Sequence, residues 1–166
     1  HQPQNKSMIS EQNLSGYATF SFHYFSHGGF IGCKCPDCKS EIKLLLQIYR
    51  SGKPVEQLEE AYGSSLIDEL VERNIVNLKD ENSRVHARFG KYILWNMDAL
   101  YEILSCSGCT NEFLTIFGMD ELQPGREEVQ FKGIWKLTQI SITLSKDKDS
   151  HPAASEFLKR LGINPL

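Results

Sequence analysis

The sequence lacks long apolar runs, and it lacks a strong excess of charge of either sign. Its longest uninterrupted aliphatic stretch is Leu44, Leu45 and Leu46, whereas a membrane-spanning helix needs roughly 20 apolar residues. The 18 basic and 21 acidic residues leave a formal net charge of −3, so overall charge does not favour binding to nucleic acid or to acidic membranes. We therefore expect no membrane association.

Recognisable catalytic motifs are missing as well. The chain contains no G-x-S-x-G nucleophile elbow, no phosphate-binding loop, no H-E-x-x-H and no G-x-G-x-x-G. No basic and apolar leader opens the sequence, so we expect no secretory signal. The 166 residues are 40% hydrophobic and 23% charged, which is typical of one globular domain with a real core. We predict a protein that is not an enzyme.

Cysteine is the informative residue type that is present. Cys33, Cys35 and Cys38 form a C-x-C-x-x-C run, and Cys106 and Cys109 form a C-x-x-C pair. Two such knuckles are how a chain builds a tetrathiolate metal site, because each short turn directs two sulfurs at one point. The most economical ligand set is Cys35, Cys38, Cys106 and Cys109, with Cys33 as an alternate to Cys35.

The ligand type and spacing favour a structural zinc over an iron–sulfur cluster, with disulfides or free thiols as the remaining alternatives. Four thiolates fill a tetrahedral zinc, whereas a catalytic zinc keeps one position open. Cysteines clustered in knuckles also suit a reducing compartment, which predicts a cytoplasmic or nuclear protein. His23 and His27 precede the first knuckle and could be ligands, but we favour a strand and a turn position for them.

Hydrophobic periodicity predicts an α+β fold with a winged-helix core, flanking β-hairpins and a structural zinc site made of four cysteines. Residues 1–15 are polar and predict a flexible tail, and residues 16–38 predict a β-hairpin leading into the first knuckle. Helices are predicted over 40–49, 54–62 and 64–74, followed by strands near 75–78 and 85–89. This order of elements places a winged helix at residues 39–95.

The remaining residues, 96–166, are predicted to pack on the same domain. We expect a short helix over 98–104 that leads into the second knuckle, and a helical turn over 111–117. Alternation over 129–144 predicts two strands, and residues 152–161 predict a short amphipathic helix.

The predicted helices resemble the RiPP recognition elements, the family of the pyrroloquinoline-quinone peptide chaperone. The shared features are a leucine-rich first helix, the entry to the second helix and the end of the third helix, carried here by Leu44–Leu46, by Gly52, Pro54, Val55 and Leu58, and by Leu66 or Ile67, Leu70, Ile75 and Val76. The family places its sheet before its helices, and the cysteine knuckles are not part of its minimal element. The resemblance implies binding of an extended peptide by strand addition beside the third helix.

We therefore predict a non-catalytic adaptor or regulatory module that binds a protein or peptide. Its expected surface is the groove between the third helix and the wing, lined by Leu66, Leu70, Val85, Ala87 and Phe89. The alternative is a transcription regulator that contacts DNA through its wing, with Arg84, Arg88 and Lys91 at the phosphates. Against this alternative, the third helix carries three acidic residues, Asp68, Glu69 and Glu72, and such a face repels phosphate.

Overall fold

The computed structural model describes residues 7–14, 17–20, 29–47, 50–79, 90–95, 97–123 and 126–149. These residues form ten strands and three α-helices. The strands are β1 Tyr17–Phe20, β2 Gly29–Lys34, β3 Glu41–Leu46, β4 Lys53–Pro54, β5 Asn77–Leu78, β6 Tyr92–Leu94, β7 Met97–Asp98, β8 Leu100–Ser105, β9 Glu112–Gln123 and β10 Arg126–Lys136. The helices are α1 Leu58–Tyr62, α2 Ser64–Glu72 and α3 Gln139–Asp149. The chain is thus α+β and mostly strand.

A four-stranded antiparallel sheet in the order β10-β9-β8-β4 lies between two hydrophobic clusters. Along β9, Leu114 and Ile116 belong to one of them, which we call the cluster beside the helices. Phe113 and Phe117 belong to the other, which we call the cluster beside the cysteines. Alternate side chains of a strand point to opposite faces, so β9 is covered on both sides. The pairing of β4 with β8 also joins residues from the 39–95 and 96–166 ranges in one sheet.

The predicted helix over 40–49 is wrong, because β3 occupies residues 41–46. β1, β2 and β3 form a three-stranded antiparallel sheet, and the turn of the predicted β1–β2 hairpin lies outside the described residues. Within β3, Ile42 and Leu46 are buried, whereas Leu45 is 41% exposed. That alternation belongs to a strand, and pairing with β2 has outweighed the helix preference of leucine.

The two helices predicted next are present as α1 and α2. A 3-10 turn, Val55–Gln57, leads into α1, and α2 follows after the single residue Gly63. Gly63 has φ +68°, a left-handed conformation that glycine adopts without strain. The strand predicted near 75–78 is the short β5, which pairs with β6, and the predicted wing strand over 85–89 lies outside the described residues.

The helix predicted over 98–104 and the helical turn over 111–117 are also wrong. Both segments are strands, β8 and the start of β9, and they pair with each other across the second cysteine knuckle. Four apolar residues of β9 are fully buried because the strand is covered on both faces: Phe113, Leu114, Ile116 and Phe117. A strand in this position has a nearly continuous apolar run. Such a run does not show the alternation by which a half-buried strand is recognised.

Only the first of the two strands predicted over 129–144 exists. β10 ends at Lys136, and α3 begins at Gln139 and packs against α1. Residues 139–144 alternate in sequence but are helical. Ile140 and Ile142 pack on the cluster beside the helices, and the buried Ser141 between them donates a hydrogen bond to Met8 O. The helix predicted over 152–161 lies outside the described residues.

Residues 7–14, which we call the N-terminal strap, correct the prediction of a flexible tail. Met8 and Ile9 are 3% and 1% exposed and belong to the cluster beside the helices. Ile9 forms an antiparallel bridge with Leu137, just after β10. Two apolar side chains are enough to hold a polar segment here, because a preformed edge strand accepts its backbone. Among the described residues, no helix is long and apolar enough to span a membrane.

Candidate metal centre

The two cysteine knuckles are the loops of two β-hairpins. The first, residues 35–40, connects β2 to β3, and the second, residues 106–111, connects β8 to β9. Each loop is closed by the same backbone hydrogen bond, from Cys35 N to Ser40 O at 2.9 Å and from Cys106 N to Asn111 O at 2.9 Å. Strand pairing therefore fixes where each loop begins and ends, and the two tips face each other.

Four sulfurs converge where the tips meet. The Sγ atoms of Cys35, Cys38, Cys106 and Cys109 all lie within 4.8 Å of one another, and this group could hold a metal ion. Two of the separations are 3.6 Å, from Cys35 to Cys109, and 3.3 Å, from Cys38 to Cys106. A tetrahedral ion with bonds of about 2.3 Å places its sulfurs about 3.8 Å apart. The four atoms are therefore close to the arrangement that one such ion requires.

The approach of the two tips leaves no room for a side chain at Gly108. A Cβ atom built there would collide with Ser40 Oγ and would lie 2.9 Å from Cys38 Sγ. The backbone N–H of Gly108 also donates to Cys106 Sγ at 3.4 Å. The glycine of the second C-x-x-C turn thus lets the second tip lie directly against the first.

Asn111 connects the sulfurs to the neighbouring sheet. Its side-chain amide donates to Cys35 Sγ at 3.4 Å and to Asp37 Oδ2 at 2.5 Å. Asp37 Oδ2 in turn accepts from Lys136 Nζ, at the end of β10, at 2.8 Å. Groups that donate hydrogen bonds to a metal ligand orient it and adjust its basicity. We infer that Asn111 has this role for Cys35.

Replacing Asn111 with alanine should weaken metal binding by about 10- to 100-fold, the usual cost of losing a hydrogen-bond partner of a ligand. Competition against a chromophoric zinc chelator measures this change. Lys136→Ala is the matched control, because it removes an ion pair whose Asp37 side chain is 57% exposed, and such pairs contribute about 0–1 kcal/mol. Equal losses in the two variants would contradict the role of Asn111.

The sulfurs ionise at different pH values when no metal is bound. Burial opposes ionisation of Cys35, but hydrogen bonds from the backbone of Cys38 and Asp37 and from the Asn111 side chain outweigh it and lower its pKa to about 6. Hydrogen bonds with Ser40 also lower the pKa of Cys38. The first negative charge therefore forms on the first tip.

Cys109 shows the opposite behaviour. A hydrogen bond with the backbone of Asn111 favours its thiolate, but burial and the side-chain hydrogen bonds with Cys106, Cys35 and Cys38 outweigh it and raise the pKa of Cys109 to about 12. Four sulfurs this close together cannot all carry charge without a cation between them. A bound cation would remove this conflict.

Metal binding should therefore release protons. At about pH 7 Cys35 is ionised and Cys109 is not, and because the ligands must be deprotonated we expect at least one proton released per zinc. In the metal-free chain, the stabilisation from the lowered pKa of Cys35 is complete above pH 9.0 and is lost as the pH falls through about 6. Metal affinity should decrease in the same direction.

Titration calorimetry of the metal-free chain with zinc chloride, in buffers of different ionisation enthalpy, counts these protons. Cys33→Ala is the control and should release the same number. A binding enthalpy that does not depend on the buffer would contradict the prediction.

Cys33 lies outside the group of four. Its side chain is fully buried in the cluster beside the cysteines, and its strand position pairs with Ile42. Burial raises the pKa of its thiol to about 11. The structure therefore does not support Cys33 as an alternate ligand, and the position is that of a small apolar residue. His23 and His27 lie outside the described residues.

Two residues of the predicted partner surface, Leu66 and Leu70, are fully buried in the cluster beside the helices. Among the described residues they therefore present no surface to a partner. Lys91 is exposed, and its backbone N–H donates to Glu56 Oε2 at 3.1 Å. The other members of the two predicted surfaces, Val85, Ala87, Phe89, Arg84 and Arg88, lie outside the described residues.

Sequence reasoning missed the contacts of α2 with the N-terminal strap. Glu69 accepts a hydrogen bond from Met8 N at 2.6 Å, and Arg73 donates to the carbonyl oxygens of Ser10 and Glu11 at 3.0 and 2.8 Å. The one signal available was the spacing of Glu69 and Arg73, four residues apart on one helix face. The chain matches no protein-family model, no curated protein and no solved structure.

Proposed function

We propose that the four cysteines bind one zinc ion that joins the two hairpin tips, and that the chain is a non-catalytic module that recognises a protein or peptide. The observation that carries the metal proposal is the convergence of four sulfurs within 4.8 Å. An iron–sulfur cluster places several irons and sulfides between its ligands, so it needs thiolates farther apart than a single ion does. Sulfurs separated by 3.3 and 3.6 Å favour the single ion.

The same site argues for a structural role. Four thiolates complete a tetrahedron and leave no position for water or substrate, which is the pattern of structural zinc. The ion would join residues about seventy positions apart, and closing so long a loop restricts the unfolded chain. Thiolates that must remain reduced suit the cytoplasm or the nucleus. The zinc would thus stabilise the surfaces built on the two hairpins and would not react.

Recognition of a protein or peptide is favoured over recognition of nucleic acid by the charge of the helices. Glu59, Glu60 and Asp68 are exposed on α1 and α2, where a winged helix would approach DNA. Phosphate repels such a surface. The sheet β1-β2-β3 also precedes the helices, which is the order in the RiPP recognition elements that the sequence resembles. α3 provides a third helix, which packs against α1.

Selection from a random peptide library tests the function directly. The zinc-loaded chain should enrich peptides whose affinity changes little between about 50 and about 200 mM salt, because few phosphate-type charge contacts are made. The metal-free chain is the control and should enrich none of them. A mixed-sequence DNA duplex should not bind. If DNA binds with an affinity that falls about 1,000-fold or more over that range, the nucleic-acid alternative replaces our proposal.

A further inference from the structure

The N-terminal strap lies in a groove that contacts mainly its backbone. The groove, which we call the strap groove, is formed by the outer edge of β10, by Glu69 and Arg73 of α2, and by Thr138 and Ser141 at the start of α3. These elements are far from the strap in sequence, and each contacts it from a different side. The groove is therefore a property of the tertiary structure alone.

Backbone groups on the outer edge of β10 form hydrogen bonds with the strap. Lys136 O accepts from Ser10 N at 2.8 Å, and Ile134 O accepts from Leu14 N at 2.6 Å. Asn13 completes the match with both ends of its amide, because its Oδ1 accepts from Ile134 N and its Nδ2 donates to Lys132 O. Ser10 Oγ accepts from Lys136 N. Ile9 forms an antiparallel bridge with this edge, and around the bend at Glu11 and Gln12 two side chains stand in for backbone groups, which is a variant of strand addition to a sheet edge.

The helices bind the other side of the strap. Glu69 and Arg73 form an ion pair at 3.1 Å and together contact one backbone N–H and two carbonyl oxygens of the strap. From α3, Ser141 Oγ donates to Met8 O at 2.5 Å, and the Thr138 backbone N–H donates to the same oxygen at 3.1 Å. Ser141 is completely buried, so this hydroxyl is used inside the groove and not at the surface.

Side-chain recognition is confined to a few positions. Met8 and Ile9 are buried anchors, whereas Glu11 and Gln12 are exposed. Asn13 fits because β10 carries Gly133 opposite it, where a Cβ atom would collide with Asn13 Nδ2. Main-chain bonds therefore contribute to binding whatever the side chains, and two anchors, one hydroxyl and one amide select among peptides. In peptide recognition by strand addition, main-chain hydrogen bonds typically provide affinity and side-chain pockets provide specificity.

We infer that the strap groove is a peptide-binding site and that the strap is its intramolecular occupant. The partner it fits is a segment of another protein with two adjacent apolar residues, a serine directly after them and an asparagine three residues after the serine. Such a segment would replace the strap. This inference rests on the proposed function, because it identifies the surface and the ligand of a peptide-binding module.

The experiment uses the complete chain, cut once. A site-specific protease sequence replaces residues 15–16, so that cleavage separates the strap from β1 while both pieces remain present. The probe is a fluorescent synthetic peptide of residues 7–14, and its anisotropy reports binding. The cut chain should bind and exchange the probe. The uncut chain should bind it at least about 100-fold more weakly, because a tethered competitor acts at an effective concentration in the millimolar range.

Three altered probes identify the mode of binding. Methylation of the Ser10 backbone nitrogen removes the donor to Lys136 O, and aspartate at positions 8 and 9 removes the anchors; each should reduce binding about tenfold or more. A probe with Asn13→Ala should bind the unchanged chain more weakly, because it loses the bonds to Ile134 N and Lys132 O. A methylated probe that binds as well as the original would overturn the assignment to strand addition.

If the chain unfolds after cleavage, refolding on addition of the probe tests the inference instead. Added probe should then restore its near-ultraviolet circular dichroism, and failure at millimolar probe would overturn the inference. An uncut chain with Met8→Asp and Ile9→Asp should bind the probe like the cut chain. If the uncut protein instead forms a dimer by exchanging straps, the groove serves a second copy and our partner assignment is wrong. A zinc-loaded chain that selects library peptides but never binds the probe overturns only this inference.

Discussion

Replacing Cys106 with serine should abolish stoichiometric zinc binding and unfold the hairpins that carry the cysteines. Structural zinc contributes an apparent binding free energy of about 10–16 kcal/mol, whereas whole domains have net stabilities of about 5–15 kcal/mol. Loss of one of four ligands is therefore enough to shift the equilibrium to the unfolded chain. Elemental analysis of the purified protein and a thermal melt followed by circular dichroism measure both effects.

The cluster beside the cysteines should be the first part of the fold to be lost. Phe113, Phe117 and Ile134 are fully buried there. Cys35 and Cys106 are buried in the same cluster, and the proposed zinc would join the two hairpin tips at this cluster. A strong chelator added to the unchanged protein should have the same effect as Cys106→Ser.

Cys33→Ala is the matched control for this prediction. It removes a thiol two residues from a proposed ligand, yet it should retain one zinc per chain, since Cys33 lies outside the group of four. A coloured iron cluster in the unchanged protein, or no metal in it, would contradict the zinc proposal. So would a Cys106→Ser variant that keeps its zinc and its melting temperature.

Replacing Ile9 with alanine should lower the free energy of unfolding by about 2–5 kcal/mol, the usual cost of truncating a large buried aliphatic side chain. Ile9 is 1% exposed and lies in the cluster beside the helices. A loose tail would predict almost no effect at this position. Equilibrium unfolding in urea, with zinc present throughout, measures the difference.

Glu11→Ala is the control within the same segment. Its side chain is exposed, and the contact that Arg73 makes is with its backbone carbonyl oxygen. We expect a change within about 0.5 kcal/mol, as for surface positions in general. Equal effects at Ile9 and Glu11 would contradict the burial of the strap.

The candidate metal ligands could be predicted because a knuckle is a local structure. A C-x-x-C turn brings its two sulfurs together through residues adjacent in sequence, so Cys35 with Cys38 and Cys106 with Cys109 were identifiable from spacing. The two helices on either side of Gly63 were predictable for the same reason. Pro54 before the first turn and Gly63 between the helices are signals that act within a few residues.

The strands around the knuckles could not be predicted, because their partners are remote. The leucine-rich residues 40–49 show helical spacing on their own, and residues 41–46 form a strand because β2 lies beside them. The start of β9 has a nearly continuous apolar run because both its faces are buried, so its period gave no guide. Residues 139–144 alternate like a strand, yet they are helical and pack against α1.

Residues a few positions apart were enough to identify the candidate metal ligands and the two helices around Gly63, and to show that familiar catalytic motifs are missing. Long-range contacts were needed to show that the cysteine loops are hairpin tips, that Cys33 is buried apart from the other four cysteines, and that residues 7–14 fill a groove. Strand pairing and strap binding depend on backbone hydrogen bonds, which any residue except proline can donate and accept. Such bonds leave little trace in the sequence.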